Sequence, residues 1–393
     1  MRILLLTAGS RGDVEPFLAL GRRAVRDGHT VRIGVTREFV ATAEKADLDA
    51  AALDANYAEL VAEQGVSPLA AMRSFRSTIM PMMTALLRST TAVATAFRPD
   101  VLVYHPKLLA APLAAAALDV PAVLAEIVPV VTPTREFPAA GVTTANLGPF
   151  NRITFRATEA ANRMFAKPLR ELRSELALPA RGPIPGPARA LVPVSPALLR
   201  RPADWPETTV ITGQWHEPDT TEPDAETAEF LAGGNVIYAG FGSMAVGDAR
   251  ERANAVVAAA RAVGHRVLLV TGWGGLASPD DPTDVLVRKS VPHHGVLPRC
   301  VAAVHHGGAG TVHAVVRAGL PSVVVPFLAD QPFWAGLLHR QGLAAEPLPV
   351  RRLTADRLAR RLATLPTPAA AAIAAERLAT EDGCDLALTT IAG

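Results

Sequence analysis

An α/β protein built from two Rossmann-like, doubly wound parallel-sheet domains facing a central cleft is the fold this chain predicts, and three observations carry it. Short apolar runs alternate with helix-like segments in both halves. A proline-dense stretch separates the halves. At 393 residues the chain is too long for one compact core, so two domains of roughly 150 to 200 residues are expected. Hydrophobic residues make up 49% and charged residues 19% of the chain, a balance that favours burial throughout and argues against disorder.

The first half opens with strand-like Ile3 to Thr7, a glycine-containing loop, helix-like Val14 to Asp27, a stop at Gly28 and strand-like Thr30 to Thr36. That is one β-α-β unit, and such units make parallel sheets. Asp100 to Tyr104 then reads as a strand, Leu108 to Leu118 as a helix and Ala122 to Ile127 as a buried strand. Prolines thicken from Leu178 to Pro223, which places a linker over residues 201–225, after an N-terminal domain of residues 1–200. Alternation restarts with Asn235 to Gly240 as strand, Ala249 to Val263 as helix and His265 to Thr271 as strand. It continues with strand Val301 to Val304, helix Val312 to Ala318 and strand Pro321 to Pro326. Residues 226–368 therefore form a second α/β domain. Alanine-rich residues 369–393 form a C-terminal helix that either caps this domain or crosses back to the first.

Composition narrows the function. A formal charge of +2, with scattered basic residues, gives no nucleic-acid footprint. Cys300 and Cys384 lack the spacing of a disulfide framework or zinc site and read as reduced structural thiols. The apolar start ends at Thr7-Ala8-Gly9, short of an export signal, and reads as a first strand. The longest apolar region, Leu108 to Val131, is broken by Pro112, Asp119, Pro121 and Glu126. No stable membrane insertion is expected, and the location expected is the cytoplasm. The acidic loop Asp280 to Asp284 lacks a partnered histidine and reads as solvated rather than metal-binding.

In open α/β sheets ligands bind at the carboxyl ends of strands, so chemistry is sought in the loops that follow them. The strongest signal is His305-His306-Gly307-Gly308-Ala309-Gly310-Thr311, between an apolar run and a helix start. Bare backbone N–H groups and the helix dipole make this an anion seat. Two imidazoles and a hydroxyl, with no Gly-Lys-Ser/Thr anywhere, suit the pyrophosphate of a nucleotide sugar better than a triphosphate with its magnesium. Gly240-Phe241-Gly242-Ser243-Met244 also follows a strand, and Ser243 can donate to a phosphate. Thr271-Gly272-Trp273 ends another strand, where the indole either lines a nucleotide site or packs. Asp330-Gln331 reads either as a helix cap or as a grip on neighbouring sugar hydroxyls. In the first loop, Ala8-Gly9-Ser10-Arg11-Gly12-Asp13, the carboxylate of Asp13 fits a helix cap and equally a general base. Met72, Phe75, Ile79, Met80, Met82 and Met83 offer pliable apolar surface for a bulky ligand, or an ordinary helix core, and Phe137, Phe150 and Phe155 are further candidates.

Taken in order, Gly9 to Pro16, Gly240 to Met244, His305 to Thr311 and Asp330 to Trp334 resemble the GT-B nucleotide-sugar glycosyltransferases. The likeness is to the bacterial natural-product branch of family 1, typified by the vancomycin-type glycopeptide enzymes, and sterol glucosyltransferases share the signatures. The resemblance spans essentially the whole chain. It implies that Asp13 is the catalytic base and that Ser10, Arg11 and Gly12 lie near the diphosphate. It further implies that Ser243, His305, His306, Gly307, Gly308, Gly310 and Thr311 hold the diphosphate, and that Asp330 and Gln331 hold the donor sugar. Trp273, Val291 and His293 would wall the nucleobase, and Met72, Phe75, Met80 and Met83 would meet the acceptor. The implied reaction is inverting transfer from a dTDP- or UDP-sugar to a lipophilic aglycone, without metal or further cofactor, by a monomer or homodimer. Plant relatives carry a histidine base oriented by an aspartate, whereas this chain has Asp13 in that loop. Competing readings are a sterol or lipid glucosyltransferase, a nucleotide-sugar 2-epimerase on the same fold, and a silent homologue acting as a binding partner.

Overall fold

Strands that are apolar on both faces and joined through helices pair in parallel, with helices covering both sides. The computed structural model describes residues 1–55, 75–179, 182–217 and 220–393. These form two compact units, Met1–His216 with Asp382–Gly393, and Glu217–Glu381.

The first unit carries β1 (Arg2–Leu6), β2 (Thr30–Thr36), β3 (Asp49–Leu53), β4 (Val101–Tyr104), β5 (Ala122–Ala125), β6 (Arg189–Val192) and β7 (Thr209–Ile211). Among the described residues they form a seven-stranded sheet in the order β3-β2-β1-β4-β5-β6-β7. All neighbours are parallel. Side chains of β1 alternate between two cores, as strand geometry requires. Ile3 and Leu5 pack with Phe17, Leu20 and Ile33, while Leu4 and Leu6 pack with Leu86, Leu102 and Leu124. The strand order reverses at β1, which lies between β2 and β4, so the loops after β1 and β4 diverge around one crevice. Residues 209–211, expected inside a linker, are the edge strand of this sheet, and the first unit accordingly runs on to His216.

The second unit carries β8 (Val236–Gly240), β9 (Arg266–Val270), β10 (Val285–Arg288), β11 (Ala302–His305) and β12 (Ser322–Val324). The order is β10-β9-β8-β11-β12, again parallel throughout. Here the reversal falls between β8 and β11, where Gly240 stands opposite His305. The acidic loop lies on the surface as expected, with Asp280 accepting from Arg250 and Asn254 and Asp281 paired to Arg261 at 2.7 Å.

The closing segment, expected to be one helix, is two. Pro368–Ala379 packs with Ala309–Arg317 in the second unit, where Arg317 donates to the Leu378 carbonyl at 3.0 Å. After a break, Asp382 caps Gly383–Ala392 by accepting from the Asp385 N–H at 3.0 Å. That helix belongs to the first unit, burying Cys384, Ala387 and Leu388 beside Trp215. No helix among the described residues is long and apolar enough to cross a membrane.

Candidate active site

At the crevice of the first unit, helix Arg11–Arg26 begins with Ser10 as its cap and Asp13 in its first turn. The capping reading of Asp13 takes the form of a capping box, in which its carboxylate turns back to Ser10: Oδ2 accepts from the Ser10 N–H at 2.6 Å and from Ser10 Oγ at 2.9 Å. Two groups from the loop after β4 complete its surroundings. His105 Nε2 lies 3.1 Å from Oδ1, and Lys107 Nζ lies 2.9 Å from Oδ2. The Lys107 backbone N–H donates to His105 Nδ1 at 3.2 Å. An N–H can only donate, so Nδ1 is the acceptor nitrogen and the neutral imidazole carries its proton on Nε2, aimed at Asp13.

Burial opposes charge on Asp13. The Lys107 ammonium and the hydrogen bond from His105 outweigh it and hold the carboxyl well below the usual carboxylate range. Burial likewise pushes the His105 pKa down, against the pull of Asp13. The Asp13 side chain keeps 17% of its surface exposed, so an ionised, oriented carboxylate reaches solvent at the switch point. Gly9 is needed beside it: its φ is +135°, and a Cβ there would run into Asp13 Oδ2 and Lys107 Nζ. Arg11 faces outward and pairs with Glu15 at 2.8 Å. Gly12 is exposed.

In the second unit the loops after β8 and β9 are bonded together. The Trp273 N–H donates to the Gly242 carbonyl at 3.1 Å. The approach is close enough that a Cβ on Gly275 would stand 2.7 Å from the Phe241 carbonyl carbon. Arg252, buried behind them, donates to the carbonyls of Met244, Val246 and Gly275. Ser243 is exposed, and Trp273 is 60% exposed, so the indole stands out from the surface rather than packing beneath it.

The anion seat follows β11. Gly307 has φ +90°, and a Cβ on it would lie 2.8 Å from Val324 Cγ1. Gly308 caps helix Ala309–Arg317, so Gly310 and Thr311 fall in its first turn, where backbone N–H groups have no intrahelical partner. Space beside Gly310 is open. His306 lies along this loop, with Cε1 3.2 Å from a Cβ position on Gly242.

His305 is placed differently from expectation. It is 0% exposed, and neither ring nitrogen has a hydrogen-bond partner. As the last residue of β11 it shares the sheet face of Ala303, opposite that of Val304. It therefore backs the seat instead of lining it. Burial lowers the pKa of His305 to about 3 and that of His306 to about 4, so both rings are neutral near pH 7.

Gln331 is also turned inward, being 4% exposed. Its Oε1 accepts from the Phe327 N–H at 2.8 Å, and its Nε2 lies 3.2 Å from Met244 Sδ. Asp330 caps the next helix and accepts from Trp334 Nε1 at 2.7 Å. His293 is bonded to the Tyr238 hydroxyl at 3.1 Å, and Val291 packs half-buried on the same core.

On the acceptor candidates, Met83 is a core residue packed with Leu4, Leu6 and Leu86, which corrects its placement in a binding surface. Met80 is half-buried at the start of its helix, and Phe75 lies in the π-helical turn Phe75–Ile79. Met72 lies outside the described residues. Phe155 is buried, Phe137 packs edge-on against Trp205, and Phe150 is exposed. The residues missed from sequence are His105, Lys107 and Arg252. For the first two a signal existed, because His105-Pro106-Lys107 directly follows the strand beside β1.

Residues 3–131 match the glycosyltransferase family 28 N-terminal domain. Residues 275–392 match the erythromycin biosynthesis protein CIII-like C-terminal domain. Among curated relatives, O-mycaminosyltylonolide 6-deoxyallosyltransferase of Streptomyces fradiae is 33% identical over 96% of this chain and 93% of its own length. A sterol 3-beta-glucosyltransferase of Saccharomyces cerevisiae is 31% identical over 98% of this chain, which spans only 34% of that longer protein. Among solved structures, the glycosyltransferase VinC in complex with dTDP superposes with a TM-score of 0.69 at 21% identity, covering 100% of both chains. The chain belongs to the family 1 glycosyltransferases and has the GT-B fold. It is a glycosyltransferase enzyme.

Proposed function

We propose that the chain is an inverting, metal-independent glycosyltransferase that moves a sugar from a dTDP- or UDP-sugar to a hydroxyl of a lipophilic natural-product aglycone. The observation that carries this is the Asp13 carboxylate, contacted by His105 Nε2 and Lys107 Nζ and partly exposed at the switch point of the first sheet. As the anomeric bond breaks, negative charge grows on the diphosphate. N–H groups of the first turn of Ala309–Arg317, with Ser243, Thr311 and neutral His306, stabilise that charge more than the ground state. Asp13 takes the proton of the attacking hydroxyl, and attack from the face opposite the leaving group inverts the anomeric carbon. Support for a dTDP donor comes from the dTDP complex of VinC, and support for a natural-product acceptor from the S. fradiae relative.

A sterol or lipid acceptor is the second reading, favoured by the identity to the yeast sterol enzyme. A mass-spectrometric screen of dTDP- and UDP-sugars against polyketide, glycopeptide and sterol aglycones separates the two. The proposal expects a new mass equal to aglycone plus glycosyl residue, with the polyketide or glycopeptide set giving the products. Products from the sterols alone would replace it with the second reading, and conversion of a nucleotide sugar without any acceptor would point to an epimerase.

A further inference from the structure

A general base works best with a pKa near the operating pH and a lone pair facing its substrate. Asp13 departs from this pattern. A carboxylate offers about four acceptor positions, and Ser10 N–H, Ser10 Oγ and Lys107 Nζ all donate to Oδ2 while His105 donates to Oδ1. The lysine is not carried on the same helix. It comes from the loop after β4, and the positive φ of Gly9 and its lack of a Cβ are what let Lys107 Nζ and Asp13 Oδ2 meet.

We propose that Lys107 is a positioning residue that keeps the Asp13 carboxylate ionised and occupies Oδ2, leaving Oδ1 as the oxygen that receives the acceptor proton. This rests on the reading of Asp13 as the base. The charged and titratable groups facing Asp13 are Lys107 and His105 from the loop after β4. On its own helix, Arg11 and Glu15 pair with each other at 2.8 Å. His105, with Nε2 at 3.1 Å from Oδ1, orients the carboxylate. Lys107 supplies the charge, and its depressing effect on Asp13 is the expected one for an ammonium at 2.9 Å.

The consequence for the reaction is specific. The acceptor O–H breaks with its proton going to Asp13 Oδ1, the oxygen bonds the anomeric carbon, and the electron pair of the anomeric C–O bond leaves on the diphosphate. A carboxyl held below the usual range does not keep that proton. It passes to water, and the base is regenerated for the next acceptor. The arrangement lowers the basicity of Asp13 and favours its ionised form.

The titration that tests Lys107 needs neither donor nor acceptor. In protein labelled with ¹³C at the aspartate carboxyl carbon, the Asp13 resonance is identified by its loss in Asp13→Asn and followed against pH. In the wild type it stays at its ionised position down to the acid unfolding limit. In Lys107→Met and Lys107→Gln it titrates within the folded range, with its midpoint raised by roughly one pH unit or more, and Lys107→Arg restores the wild-type curve. The Lys107 side chain is 41% exposed, so neutral replacements are expected to fold, and the two differ in polarity so that a packing defect in one is recognised. Coincident curves for the wild type and both neutral variants overturn the proposal. If Asp13→Asn abolishes sugar transfer while the curves coincide, Lys107 loses this role and Asp13 keeps its own. If Asp13→Asn transfers sugar normally, the function reading fails whatever the curves show.

Discussion

Asp13 and His305 show how far residue type alone decides a role. The sequence offers Asp13 as cap or base, and the structure makes it the third residue of a capping box whose partly exposed carboxylate also meets His105 and Lys107 from the loop after β4. The place of His105 and Lys107 after a strand was legible, but their meeting with Asp13 was not, since it depends on β1 and β4 being sheet neighbours with Leu6 opposite Tyr104. His305 was read as a ligand for the diphosphate from its place in the motif. Strand alternation instead sends it into the sheet, and the register of β11 was the missing information. Its burial has a measurable consequence. With folded pKa values of about 3 for His305 and about 4 for His306, the unfolded chain binds more protons than the folded one as pH falls below the ordinary histidine value near 6.5. Stability is therefore full above that value and declines toward pH 3 to 4, by about 1.4 kcal/mol per pH unit for each such ring. Urea unfolding between pH 7 and pH 4 should show this slope, and His305→Phe should make it shallower. An unchanged slope in that variant would show that His305 is not buried neutral.

Among the elements, those with clean apolar runs were legible from sequence alone. The strands at Thr30–Thr36 and Val236–Gly240 and the helix at Ala249–Ala262 fall within one residue of the spans read from the sequence. β3, β6 and β7 were not, for physical reasons. β3 is Asp-Ala-Ala-Ala-Leu, whose alanines favour a helix, while β6 and β7 lie inside the proline-rich stretch and gain their strand character only by pairing with β5 and each other. The loops after β8 and β9 are bonded to each other through the Trp273 N–H and the Gly242 carbonyl, and Arg252 ties their remaining carbonyls together. Arg252→Met removes the guanidinium donors to the Met244, Val246 and Gly275 carbonyls, at the cost of lost hydrogen bonds in a buried place. Calorimetric titration should find dTDP binding weakened by about tenfold, ~1.4 kcal/mol. Undiminished affinity would mean that the loops hold their shape without the guanidinium.

At the level of the whole molecule, two parallel-sheet units were legible from the repeated alternation, but the boundaries were not, since the chain leaves the first unit at His216 and returns at Asp382. The returning helix is held by two kinds of contact of unequal weight. Arg23 pairs with Asp382 and Asp385 at 2.7 Å and 2.6 Å, but both carboxylates are exposed, and such pairs contribute about 1 kcal/mol or less. Gly383 is packed so closely that a Cβ would lie 2.5 Å from the Gly213 and Gln214 carbonyl oxygens. Gly383→Ala should therefore lower the melting temperature by several degrees and Arg23→Ala by much less, as scanning calorimetry can measure. The reverse ranking would mean that the ion pairs anchor the helix.

Sugar transfer with Asp13 as the proton acceptor is the claim on which the rest depends, and single-turnover kinetics of Asp13→Asn test it most directly. The measurement uses the donor and aglycone that the wild type converts, with binding of both followed separately. The expected result is a rate reduced on the order of 10²- to 10⁴-fold with donor and acceptor affinities unchanged. A rate near that of the wild type at unchanged affinity would contradict the account and remove Asp13 from the chemistry.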